Sequence, residues 1–76
     1  METLPNSGKV GAAVRILGTD LTDATSVTFN GTAAKFKVTS NSEIETTVPL
    51  GATNGRVEVK TSKNMLESNV VFRVAK

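Results

Sequence analysis

The chain has 76 residues and contains no cysteine, histidine, tryptophan or tyrosine. Without cysteine it can form neither a disulfide staple nor a thiolate metal site, and without histidine it lacks the commonest metal ligand and the commonest general base. The missing cysteine does not fix the redox compartment, since it suits a reducing cytosol and an unstapled extracellular module alike. Aromatic residues are limited to three phenylalanines, so a platform for stacking sugars or bases is not expected. No apolar run approaches the roughly 18 residues needed to cross a bilayer, and Met1 to Val10 lacks the cationic and apolar stretches of a secretory leader. Any export signal is therefore expected on sequence outside this chain. Charge of either sign is sparse: nine Lys and Arg against seven Asp and Glu leave a net +2, too little to mark nucleic-acid binding by itself.

What the chain does have is alternation. Short runs of period two, bounded by Gly, Asn, Pro and Ser, argue for half-buried strands throughout. Val14 and Ile16 share one face of the first such run, with Ala12 continuing it. Leu21 is expected to anchor a loop or single helical turn. Asn30-Gly31 sits between Val27/Phe29 and Ala34/Phe36/Val38, a pattern that fits a two-residue hairpin needing positive φ at both central positions. Ile44 and Val48 turn inward from the next run, which Pro49 ends because it cannot donate to a ladder. Gly51, Asn54 and Gly55 form the following turn. Arg56 to Lys60 alternates again, and Leu66, Val70, Phe72 and Val74 are expected to share one inward face of a last strand. About seven short strands with polar turns suit an all-β fold of two antiparallel sheets packed face to face, with a closed barrel as the alternative. Residues 1–76 read as a single domain, near the lower size limit for one.

The residues resemble the IPT/TIG family of immunoglobulin-like modules, in its bacterial form. The resemblance runs from about Leu4 to Val74. It rests on Pro5-x-Ser7-Gly8, Gly11-x-x-Val14-x-Ile16-x-Gly18 with Leu21, and Val27-x-Phe29-Asn30-Gly31-x-x-Ala34-x-Phe36-x-Val38. It continues through Ile44-x-x-x-Val48-Pro49-x-Gly51, Gly55-x-Val57-x-Val59 and Ser68-x-x-x-Phe72-x-Val74. The resemblance implies an immunoglobulin-like β-sandwich with the first, second and fifth strands in one sheet and the others opposite. Only Met1 to Leu4 precede the Pro-x-Ser-Gly turn, so the N-terminal strand is expected to be short or truncated and the domain to be cut from a larger protein. The second strand would then expose an edge, and a weak edge-mediated dimer becomes an expectation beside the monomer.

Candidate sites are few. Ser62-Lys63 could in principle pair as nucleophile and base, but a surface turn offers nothing to desolvate the lysine. Asp20 and Asp23 could supply calcium ligands, yet two carboxylates fall short of the six to eight oxygens that ion takes. Asn30-Gly31-Thr32 matches a glycosylation acceptor, but hairpin chemistry already accounts for Asn-Gly. No catalytic residue, metal site or cofactor is expected, and no small-molecule substrate. The remaining candidate is an interaction face: Lys35, Lys37, Arg56, Lys60 and Arg73 are expected to share the outer face of one sheet, interrupted by Glu58, with Glu43 and Glu45 on the other.

The functional expectation is a non-catalytic spacer or protein-interaction module of a larger bacterial protein, secreted, periplasmic or on the cell surface. Its partners would be neighbouring domains of the same chain or another protein, without membrane insertion. The alternative is polyanion or nucleic-acid binding through the Lys/Arg face, a disfavoured reading because the loop arginines of transcription-factor relatives have no counterpart here.

Overall fold

Asn30 and Gly31 make the hairpin that their sequence calls for, with φ of 49° and 89°. This reversal joins β4 (Ala24–Phe29) to β5 (Thr32–Ala34), which pair antiparallel with Phe29 opposite Thr32 and Val27 opposite Ala34. The computed structural model describes residues 1–75. Besides these two strands it contains β1 (Glu2–Leu4), β2 (Ser7–Lys9), β3 (Ala13–Leu17), β6 (Phe36–Ser40), β7 (Glu43–Thr47), β8 (Val57–Thr61), β9 (Met65–Glu67) and β10 (Arg73–Ala75). A single 3-10 turn spans Leu21–Asp23 and buries Leu21 completely.

The strands form two four-stranded antiparallel sheets. The first has the order β1-β3-β7-β6 and the second β5-β4-β8-β9. Their inner faces supply the core: Val14, Ile16 and Ile44 from the first sheet, and Val27, Phe29, Val57 and Val59 from the second, closed by Leu21, Val48 and Phe72. Thr61 directs its turn, donating from Oγ1 to the Asn64 carbonyl at 3.0 Å and accepting from the Asn64 N–H at 2.9 Å. That turn explains the polar Ser62-Lys63-Asn64 break without any chemistry, and both Ser62 and Lys63 are exposed.

Three expectations change. The segment from Thr32 to Val38, read as one strand, divides at Lys35: β5 stays in the second sheet while β6 joins the first, so the fourth strand does not lie wholly opposite the first, second and fifth. The buried Thr46 hydroxyl donates to the Lys35 carbonyl at 2.6 Å and fixes the crossing point. Ala34, Phe36 and Val38 remain partly buried against the core on both sides of the break, so the alternation runs through it unbroken and conceals it.

The last strand divides as well. β9 ends just before Ser68, a buried residue whose Oγ accepts from the Val57 N–H at 3.1 Å and donates to the Val70 carbonyl at 2.8 Å. The chain then leaves the second sheet, and β10 pairs in parallel with β2, Arg73 opposite Ser7 and Ala75 opposite Lys9. Val70, expected to face inward, is 47% exposed because it lies in this crossing segment. The parallel pair stands beside the two antiparallel sheets and has no counterpart in the alternation pattern.

β3, the second strand expected from the sequence, finally, has no bare edge from Arg15 to Leu17. β1 pairs antiparallel with β3, Glu2 opposite Leu17 and Leu4 opposite Arg15, and Thr3 between them is fully buried opposite Ile16. The edge expected on the second strand is thus covered from Arg15 to Leu17. The free edges of the first sheet are β1 and β6.

Candidate functional site

The five cations expected on one face are distributed over three sheets. Lys37 lies on β6 in the first sheet, and Lys35 at the crossing point just before it. Lys60 lies on β8 in the second sheet, whose outer face also carries Glu58 directly opposite Glu67. Arg73 belongs to the parallel pair. Arg56 precedes β8, and its guanidinium is engaged by the fold, donating to the Ser68 carbonyl at 2.7 Å and the Asn69 carbonyl at 3.1 Å. The shared face fails because it depended on two strands that each change sheets.

The first sheet instead gathers a smaller group. The pairing registers align Arg15 on β3, Glu45 on β7 and Lys37 on β6 in one row across three strands. All three side chains are exposed. Side chains directly opposite on neighbouring strands stand about 5 Å apart at Cβ, so Glu45 separates two cations that would otherwise face each other. Next to this row the short side chains of Ala13 and Thr47 stand opposite each other, and the dip they leave becomes an open hollow of about 620 Å³ lined by Ala13, Arg15, Lys35, Lys37, Glu45 and Thr47, with Val14, Phe36 and Thr46 at its base. Three cations therefore surround one carboxylate. Arg15 was not among the candidates, since its neighbours come from strands distant in sequence and only the β3-β7-β6 order reveals them.

Glu43 and Glu45, expected apart from the lysines, share their sheet. Thr39 lies across from Glu43 and donates from Oγ1 to its Oε2 at 2.9 Å and its carbonyl at 3.1 Å. Asp20 and Asp23 line a separate hollow of about 140 Å³ with Asn41, Thr61, Lys63 and Asn64, in which Lys63 supplies a cation of the fold's own. Among the described residues no three His, Cys, Asp or Glu side chains are grouped to hold a metal ion. Asn30 donates from Nδ2 to Thr53 Oγ1 at 2.8 Å, so its amide serves to join the hairpin to the neighbouring loop.

A family model for the IPT/TIG domain matches residues 2–74. The chain belongs to the IPT/TIG family. The match covers every strand of both sheets and all but the last residue of the parallel pair. Domains of this family are non-enzymatic immunoglobulin-like modules generally used in protein interaction. No curated protein matches the chain.

Proposed function

We propose that this IPT/TIG domain is a spacer and protein-interaction module of a larger secreted or cell-surface bacterial protein. The observation that carries the reading is the placement of its two ends at opposite poles. Met1 accepts from the Asn69 N–H at 2.8 Å and packs beside Gly18, at the pole where β3 finishes. At the other pole Ala75 stands opposite Lys9, next to the Gly11 turn that is tied to Val48 at 2.9 Å. The body between is elongated, 33 × 19 × 19 Å, and both antiparallel sheets brace it along that run. A chain entering at one pole and leaving at the other holds its neighbours apart by the length of the sandwich.

A second feature supports contact with a neighbouring domain at the exit pole. Val10 and Leu50, on adjacent turns there, are 46% and 87% exposed, an apolar pair placed where a following domain would rest. The polyanion alternative draws less support, because the five cations expected to share one sheet are spread over three.

The test places the chain between two folded reporter domains and measures their separation by energy transfer or small-angle scattering. One inserted copy should lengthen the separation by about the 33 Å long axis, and two copies by about twice that. A separation that ignores the number of inserted copies would sink the spacer reading.

A further inference from the structure

We propose that the free edge of β6 docks an extended segment of another protein in which acidic and apolar residues alternate. The proposal rests on reading the chain as a protein-interaction module and names the partner's chemistry. β6 is the longest edge strand of either antiparallel sheet, five residues against three in β1, β5 and β9. An edge strand turns the N–H and C=O groups of alternate residues away from its neighbour, ready to pair with a further strand. The register irregularity between Val38 and Ser40 ends the regular run, so the docking stretch is short and centred on Phe36 to Val38.

The side chains beside that edge select what could add to it. On the inner side Phe36 and Val38 are only partly buried and pack against the core, so a partner's inward side chains would be apolar and would cover them. On the outer side Lys35 and Lys37 are exposed at the edge, with Arg15 one strand further in beyond Glu45. The partner's outward side chains would stand next to Lys37, and the opposite-charge rule for cross-strand neighbours favours Asp or Glu there. A second copy of this chain is the wrong occupant: pairing β6 with β6 would bring Lys35 and Lys37 of both copies together, and like charges placed opposite oppose the contact. The same lysines that guard the edge against self-pairing thus favour an acidic strand.

The experiment titrates the isotope-labelled chain with a ten-residue peptide alternating aspartate and valine, following backbone amide resonances up to about 1 mM peptide. Shifts should concentrate at Lys35 to Ser40 and the facing residues of β7. Methylating the peptide's amide nitrogens along one edge should abolish them, since strand addition needs those donors. The Lys35→Glu/Lys37→Glu double variant, its dispersed amide resonances showing that it is folded, should bind about tenfold more weakly and prefer the corresponding lysine-valine peptide. No shifts at the highest concentration would overturn the proposal. So would equal binding of the methylated peptide or of a scrambled one, which would mean plain charge attraction, or stronger shifts of the same amides by heparin or a DNA oligonucleotide, which would assign the edge to polyanions. The reporter-separation experiment does not involve β6, so either result can fail without the other.

Discussion

The rings of Phe29 and Phe72 meet edge to face, their centroids 5.1 Å apart and their planes at 88°. Phe29 closes β4 just before the hairpin, and Phe72 lies in the segment that leaves the second sheet for β2 and is bridged to Gly55. The contact therefore ties the hairpin end of the core to the last crossing. Truncating either ring leaves a cavity in a domain with a small core, and Phe29→Ala or Phe72→Ala should each cost about 3–5 kcal/mol. Urea unfolding would read this as loss of most of the transition. Pairing Phe29→Leu with Phe72→Leu, milder changes, should show a coupling of about 0.5–1.5 kcal/mol in a double-mutant cycle; strict additivity would remove the ring contact from the account.

Ser68 does the work of a missing ladder bond. Its hydroxyl satisfies the buried Val57 N–H and is itself satisfied by the Val70 carbonyl. Ser68→Ala keeps the volume nearly unchanged but strands a buried donor, which should cost about 1–3 kcal/mol. Thr22→Ala, which loses an exposed hydroxyl contact to Asn41, should cost under about 0.5 kcal/mol. Equal midpoints for the two variants in chemical denaturation would contradict the role given to Ser68.

Most of the inward residues were legible from alternation, and so was the hairpin, because each depends on neighbours in sequence. Val14, Ile16, Leu21, Val27, Phe29, Ile44, Val48 and Phe72 are all buried as their patterns imply. The two sheet changes were not legible. At Lys35 the inward parity continues through the break, and the bond that marks it comes from Thr46, eleven residues away. At Ser68 the signal is a buried hydroxyl on the face where alternation places Leu66, Val70, Phe72 and Val74. The candidate site moved for the same reason. Alternation marks Lys35 and Lys37 as outward, but their neighbours Arg15 and Glu45 depend on strand order, while Arg56, Lys60 and Arg73 join them only if every strand stays in one sheet.

Gly55 is a glycine because of Asn30. A Cβ built at Gly55 would lie 2.3–2.5 Å from the Asn30 side chain, closer than atoms can approach. Gly55→Ala should therefore displace Asn30, break its bond to Thr53 and destabilise by about 1–3 kcal/mol. Asn30→Gly opens that space and suits the positive φ at position 30. The double variant Asn30→Gly/Gly55→Ala should recover much of the loss in thermal unfolding. If it is no more stable than Gly55→Ala alone, the close approach is not what selects glycine.

Arg56 looked on sequence grounds like a binding cation, and its contacts give it a different task. One guanidinium nitrogen holds the carbonyls of Ser68 and Asn69 where the chain turns away from β9, and it does so at the end of a planar head whose reach and N–H directions an ammonium on a flexible stem does not reproduce. Arg56→Lys preserves the charge and should still lower stability by about 1 kcal/mol, while Lys60→Ala, on the outer face of the second sheet, should change it by less than about 0.5 kcal/mol. In the aspartate-valine titration Arg56→Lys should bind as the unaltered chain does. Weaker peptide binding at unchanged stability would return Arg56 to the interaction surface and extend that surface beyond the first sheet.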